Sequence, residues 1–141
     1  MKILCTGSIA YDYLMTFPGY FKDHIMPEHL ESISLSFLVD SRVRQRGGVA
    51  TNIAYNMALL GEHPLILATV GQDFDEYRNW LERKGVITKY IKLIPGEYTA
   101  SFFANTDLSN AQISSFYTGA MAYAAELSIY ELQAEQIDLV V

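Results

Sequence analysis

The stretch Gly47-Gly48-Val49-Ala50-Thr51-Asn52-Ile53-Ala54-Tyr55-Asn56-Met57-Ala58-Leu59-Leu60-Gly61 decides how this chain is read. Ile53, Met57 and Leu60 stand at i, i+4 and i+7, the spacing of one helix face, and Gly61 is a good C-terminal stop. Upstream, residues 41–45 read as extended, with Val43 between Arg42 and Arg44. Downstream, residues 64–70 form a continuous apolar strand that ends at Gly71, the texture of a parallel strand buried on both faces. Strands that alternate with helical patterns define an α/β fold.

Working outward, residues 2–6 are a second apolar run, a buried strand that stops at Gly7-Ser8. Residues 73–84 read as an amphipathic helix with Trp80 and Leu81 inward, closed by Gly85, and residues 86–94 as extended. Residues 123–136 read as helical in two pieces, and 137–141 as another buried strand, one that would normally feed a further crossover. We therefore expect a piece of a longer protein. Residues 20–30, with Pro27, read as a loop holding a short helix. Two regions have a different texture. Residues 32–46 and 97–117 alternate apolar with polar, as half-exposed antiparallel strands do. Within the first, Ser-Ile-Ser-Leu-Ser-Phe-Leu-Val at 32–39 predicts a strand with Ile33, Leu35, Phe37 and Val39 on one side. The expected architecture is one α/β layer carrying a small antiparallel flap, without repeats, low-complexity tracts or interdomain linkers.

Half of the 141 residues are hydrophobic and 18% are charged, enough for a real core and against disorder. Ten basic residues against sixteen acidic give a net charge of -6, a field that repels nucleic acid and acidic membrane surfaces. No apolar run reaches the length of a spanning helix, and the N-terminal apolar stretch is too short for a signal peptide. The single cysteine allows no intrachain disulfide, so a cytoplasmic location is expected. Phosphate-loop, dinucleotide, zinc and nucleophile-elbow motifs are all missing. His24, His29 and His63 lie in polar or turn contexts and read as solvated; Cys5 reads as a core residue rather than a nucleophile.

Two features carry chemistry. Gly47-Gly48 between a strand and a helix lets the backbone take positive φ and approach a ligand closely, and Asn52 in the first helical turn can aim its amide at the same spot. The plainer reading is an ordinary strand-to-helix turn. Gly7-Ser8-Ile9-Ala10-Tyr11-Asp12 follows the carboxyl end of the first strand, where ligands of α/β sheets bind. An ionised Asp12 there could accept two hydrogen bonds from a vicinal diol; the plainer reading is an Asp that caps a turn.

Gly-Ser-Ile-x-x-Asp, then Gly-Gly-x-x-x-Asn-x-Ala, then Gly61 and Gly71, resemble the N-terminal half of the ribokinase-type (PfkB) carbohydrate kinases. Within that family the phrases Thr6-Gly-Ser-Ile-Ala-Tyr-Asp12, Phe17-Pro-Gly19, Pro27-Glu-His-Leu30, Ser34-Leu-Ser-Phe-Leu-Val-Asp40, Arg46-Gly-Gly-Val-Ala50 and Ser115-Phe-Tyr-Thr-Gly-Ala-Met121 look like the bacterial adenosine kinases. The resemblance implies a partial ribokinase-like, Rossmann-type three-layer sandwich with lid strands near 12–17, 32–46 and 97–117. It implies transfer of the ATP γ-phosphoryl group, with Mg2+, to a nucleoside 5′-hydroxyl. Asp12 would accept from the ribose 2′- and 3′-hydroxyls, Gly47, Gly48 and Asn52 would complete the sugar site, Ser8 and Ser36 would line the nucleoside pocket, and Phe102 and Phe116 would sandwich the purine. It also implies a homodimer through the lid strands. The family's catalytic Asp lies in a Gly-Ala-Gly-Asp-like motif with an anion hole beside it, and no such motif occurs here; the nearest strings are Gly71-Gln72-Asp73 and Gly119-Ala120-Met121. The chain alone is therefore expected to be inactive, with ATP and Mg2+ bound mainly elsewhere. The alternatives are a sugar kinase of the same family, ribokinase- or fructokinase-like, and a non-catalytic nucleoside-binding module.

Overall fold

A computed structural model describes all 141 residues, Met1–Val141. In chain order the elements are β1 (Ile3–Thr6), β2 (Ala10–Thr16), β3 (Ser41–Gly47), α1 (Val49–Leu59), β4 (Leu65–Val70), α2 (Asp75–Arg83), β5 (Ile91–Leu93), β6 (Ala100–Thr106), β7 (Gln112–Tyr117) and β8 (Leu139–Val140), with short 3-10 segments at Phe21–Asp23, Pro27–Ser32, Gly119–Glu126 and Ile129–Glu135. The chain divides into two compact units. The larger holds Met1–Tyr11, Arg46–Ser101 and Tyr117–Val141, and the smaller holds Asp12–Gln45 and Phe102–Phe116. No helix is long and apolar enough to cross a membrane.

The larger unit is built on a parallel sheet in the order β5-β4-β1-β8. Leu4, Cys5 and Thr6 pair with Leu65, Ile66 and Leu67; Ile3 and Leu4 pair with Leu139 and Val140. Every residue of β4 is buried, which is why its sequence shows no alternation. Leu4, Leu65, Leu67 and Leu132 form a buried cluster with Tyr90, Leu127 and Ile137 packed against it; each such side chain contributes roughly 1.5–3 kcal/mol by leaving water.

Helix α1 packs differently from its sequence stripe. Its buried residues are Ala50, Thr51 and Ala54, whereas Ile53 and Met57 are only half-buried and Leu60 is 85% exposed. Small residues give a helix close contact with its neighbour, and that close approach, rather than side-chain size, sets the inward face. Helix α2 follows its pattern: Phe74, Tyr77 and Leu81, at i, i+3 and i+7, are all buried, with Trp80 half-buried beside them.

Residues 119–135 make two short helical pieces as expected, but of 3-10 type. The second is tied down by Glu135, which accepts from Lys2 Nζ (3.0 Å), Lys89 Nζ (3.1 Å) and Tyr90 OH (2.5 Å). The expected buried strand at 137–141 is short and exposed instead, Leu139 and Val140 at 41% and 47%, because β8 ends the sheet with β1 as its single neighbour.

The smaller unit contains most of a second sheet, in the order β3-β2-β6-β7. It is mixed. A five-residue connection can only return β7 antiparallel to β6. On the other side of β6, Phe17 N–H donates to Thr106 and Leu108 N–H to Gly19 (2.8 and 3.0 Å), so β2 and β6 advance together. Asp107 closes the β6–β7 turn: its Oδ1 accepts from Ser109 N, Ser109 Oγ and Ala111 N, and its Oδ2 from Phe21 N, at 2.7–2.9 Å.

The strand expected at 32–39 is absent. Pro27–Ser32 is 3-10, Ile33 is extended, and residues 33–39 belong to no strand; pairing with β2 starts with Asp40 N–H on Thr16 O at 3.1 Å, just before β3 begins at Ser41. Alternation favours extended backbone, but a strand also needs a neighbour, and residues 33–39 are paired with none. Nor do the four apolar side chains share one fate. Phe37 turns in against Phe17 and Phe21, with ring centroids 4.9 and 4.8 Å away, and Val39 is half-buried, while Ile33 and Leu35 stay 50% and 43% exposed.

Two carboxylates link this packing to pH. Burial pushes the Asp107 carboxyl up, but the hydrogen bonds from Ser109, Phe21 and Ala111 outweigh it and hold the group at about 2, against an ordinary 3.8. Hydrogen bonds from Tyr90, Lys2 and Lys89 hold Glu135 at about 2, against 4.5. Both folded values lie below the unfolded ones, so the stabilisation is complete above the unfolded values and is lost as pH falls toward the folded ones. The urea midpoint should therefore fall between about pH 4.5 and pH 2, and Glu135→Gln and Asp107→Asn should each lower the neutral-pH midpoint and flatten that slope.

Candidate functional site

In the larger unit the site is built around the β3–α1 turn. The buried Gly47 carbonyl accepts from Thr51 Oγ1 (2.7 Å) and from Tyr77 OH (3.0 Å). Gly48 has φ of +103°, and a Cβ on it would lie 2.5 Å from Ser8 O, 2.7 Å from Ile9 Cα and 2.8 Å from Ala10 N. No other residue fits, on conformation or on space. The first helical N–H groups are taken by the preceding loop: Val49 N–H donates to Ser8 Oγ and Ala50 N–H to Ser8 O, both at 3.1 Å. Ser8 thus caps α1 and keeps its own hydroxyl hydrogen to donate. Asn52 N–H closes the first turn on Gly48 O at 3.0 Å, and its side chain is exposed.

The same unit has a cavity of about 380 Å3 at the carboxyl ends of β1 and β4, lined by Thr6, Gly7, Ser8, Leu67 and Ala68 together with Met121, Ala124 and Leu127. Strand β1 has β4 on one side and β8 on the other, so the cavity lies where successive strands depart in opposite directions, the usual ligand end of such a sheet. Cys5 is buried 3.9 Å from Met57 Sδ, and burial pushes its thiol up, as befits a core residue.

In the smaller unit Asp12 lies on β2, half-buried, with no hydrogen-bond partner within the protein, and burial pushes its carboxyl up. The next residue, Tyr13, stacks on Phe103 of β6 at 4.8 Å and 8°, with the Arg42 guanidinium 5.1 Å from the Tyr13 ring. Side chains alternate along strands, so Asp12 and Phe102 share the opposite face. Asp107 N–H bonds Ala111 O, and Gln112 bonds Thr106; counting back from those pairs sets Phe116 opposite Phe102. Asp12, Phe102 and Phe116 therefore lie on one face of this sheet. Phe116 is 50% exposed, and neither phenylalanine has a ring partner. Ser36 is exposed on the unpaired segment rather than on a strand.

Sequence reasoning missed Tyr77 and Thr51, which hold the Gly47 carbonyl. Tyr77 reads as one more core position of an amphipathic helix, and nothing in its spacing announces a hydroxyl aimed at a glycine 30 residues earlier in the sequence. It also missed the Tyr13–Phe103 stack, since register between distant strands is not written in either.

The pfkB family carbohydrate kinase model matches residues 6–141, and the chain belongs to this family. Its fold is the α/β fold of the ribokinase-like kinases, in part. A nucleoside kinase of Methanothermobacter thermautotrophicus is 33% identical over 124 residues, covering 86% of this chain and 37% of that protein. The structure of Burkholderia thailandensis nucleoside kinase in complex with inosine superposes with a TM-score of 0.76 at 38% identity, over 98% of this chain and 43% of that one. The nucleoside kinase of Methanocaldococcus jannaschii, an archaeal member of the ribokinase family, gives 0.75 at 28% identity, over 89% and 40%. The chain thus spans well under half the length of these relatives.

Gly48→Ala should lower stability by about 2–4 kcal/mol, since strain at positive φ adds to a clash with backbone that cannot move aside. Gly61→Ala meets nothing within 4 Å at φ of +90° and should cost only about 1 kcal/mol. Urea unfolding of the two variants compares them.

Proposed function

We propose that this chain supplies the acceptor site of a kinase that transfers the ATP γ-phosphoryl group to the 5′-hydroxyl of a purine nucleoside, adenosine first. The observation that carries this reading is the partnerless, half-buried Asp12 on the same sheet face as Phe102 and Phe116. A carboxylate suits a vicinal diol and two phenylalanines suit a flat base, whereas a monosaccharide offers no large flat face to stack between two rings. The nucleoside kinases among the relatives support the same choice.

The roles are assigned unit by unit. In the smaller unit, Asp12 accepts from the ribose 2′- and 3′-hydroxyls, Phe102 and Phe116 hold the base, and Ser36 contributes a hydroxyl from the unpaired segment. In the larger unit, Gly47 and Gly48 give the sugar close access to backbone, Asn52 offers its amide, and Ser8 its hydroxyl. In the reaction the 5′-oxygen bonds to the γ-phosphorus, the bond to the β–γ bridging oxygen breaks, and ADP leaves. The 5′-proton passes to a base outside residues 1–141, where the family's Gly-Ala-Gly-Asp-like motif would lie. No group of three His, Cys, Asp or Glu side chains is placed to hold a metal ion, and Mg2+ would be carried chiefly by the ATP phosphates. ATP use fits a cytoplasmic location.

We further read residues 32–46 and 97–117 as a lid through which two copies pair. Support comes from Ile33, Leu35, Val43 and Ile113, all 43–50% exposed, a set that monomers seldom leave in water. Light scattering should give a dimer that Leu35→Asp converts to monomer; a monomer before the change refutes the pairing.

Thermal-shift measurements with adenosine, inosine, ribose and fructose test the substrate class, and stabilisation by a free sugar but by neither nucleoside overturns it. Asp12→Ala should weaken adenosine binding by about 2–4 kcal/mol, because the diol loses a charged acceptor, and Asn52→Ala by less. Equal binding of 2′-deoxyadenosine and adenosine would remove Asp12 from this role. The purified chain alone should form no AMP from adenosine and ATP.

A further inference from the structure

Helix α2 contributes nothing to the nucleoside site as assigned, yet one of its side chains is bound to the turn on which that site rests. Tyr77 is 1% exposed and donates its hydroxyl to the Gly47 carbonyl at 3.0 Å. Thr51, also 1% exposed, donates to the same oxygen at 2.7 Å and lies 3.0 Å from Gly48 O. The Gly47 carbonyl therefore accepts two hydrogen bonds, one from α1 and one from α2.

The peptide that carries this carbonyl also carries the Gly48 N–H, and the next, Gly48 O, receives Asn52 N–H at 3.0 Å. Fixing one oxygen thus fixes the orientation of the amide and of the first helical turn. The tyrosine is itself held. Its ring lies 5.5 Å from Tyr11 and 5.4 Å from Phe74, and the Arg46 guanidinium sits 5.9 Å from it and 5.0 Å from Trp80 while pairing with Glu76. The residue before the glycines is thereby attached to the same helix.

Resting on the nucleoside reading above, we propose that Tyr77 and Thr51 are positioning residues: through the Gly47 carbonyl they hold the Gly48 amide and Asn52 in the geometry that receives the nucleoside sugar. A glycine pair has the widest backbone freedom of any dipeptide, so without these two donors the turn samples other orientations and binding must select the competent one. The hydroxyls act on affinity through order in the turn, and neither touches the substrate.

The test uses Tyr77→Phe and Thr51→Val, which remove a hydroxyl and keep the shape, with Thr51→Ser as the variant that restores it and Tyr90→Phe as a control that loses a hydroxyl elsewhere. Two quantities are read: adenosine affinity by calorimetry, and hydrogen exchange of the Gly48, Val49 and Asn52 amides without ligand. Tyr77→Phe and Thr51→Val should each weaken adenosine binding by about 3- to 10-fold, the loss of roughly one buried hydrogen bond, and should speed exchange at those amides beyond any change in global stability. Thr51→Ser should match the wild type on both, and Tyr90→Phe should match it in affinity, with exchange at those amides changing only in step with global stability. If affinity stays within about two-fold of wild type in folded Tyr77→Phe and Thr51→Val, or if exchange at the turn changes only in step with global stability, the proposal is overturned and the hydroxyls are structural alone. Should the wild-type chain bind no nucleoside, the functional reading fails by that result, and the exchange measurement still decides whether Tyr77 and Thr51 order the turn.

Discussion

The contact on which the rest of the larger unit depends is between two pieces of backbone. At Gly48 the chain passes so close to Ser8, Ile9 and Ala10 that no Cβ fits between them. The contact joins the loop after β1 to the turn before α1, some forty residues on. It also sets the helix on the loop, because Ser8 accepts two N–H groups of the first turn through its carbonyl and its hydroxyl. Helix ends need such partners, since their first N–H groups have none within the helix. A larger residue at position 48 would open this contact and detach the cap along with it.

Close approach explains why α1 buries alanines while its larger apolar side chains stay half out. It also transfers the burden of packing to α2, whose Phe74, Tyr77 and Leu81 are large and fully buried. A buried tyrosine hydroxyl needs an acceptor, and in this fold the acceptor is the glycine turn. The aromatic packing of one helix and the conformation of a loop on another strand are therefore one problem with one solution.

Much of this was legible from residue order. The runs at 2–6 and 64–70 have the unbroken apolar texture of short strands buried on both faces, and Gly48 stands at the strand-to-helix turn because positive φ and close approach select glycine there. Residues 32–39 show the limit. Their alternation is real, but a strand also needs a partner, and a single sequence says nothing of which edges are free. The same ignorance of pairing hid the mixed directions of the β3-β2-β6-β7 sheet and the Tyr13–Phe103 stack. Asp12, by contrast, drew attention by its place after β1, and the structure sets it half-buried on β2 without a side-chain hydrogen bond.

The two faces of the smaller unit's sheet differ in how far their groups are already satisfied. On one, Tyr13 and Phe103 stack on each other and Arg42 covers the tyrosine, so ring and charge have found partners within the protein. On the other, Asp12, Phe102 and Phe116 have none. Holding a carboxylate half-buried without a donor disfavours its charged form, which is the direction in which its titration is displaced. A fold tolerates that cost where a ligand later supplies the donors. Neighbouring strands stand about 4.8 Å apart, so from Asp12 on β2 to Phe116 on β7 the face spans two strand spacings, about 10 Å. A sugar diol at one end and a base at the other would match that order of groups, carboxylate first and rings beyond. The alternation that leaves these three side chains on one face is thus also what would let one ligand satisfy them together.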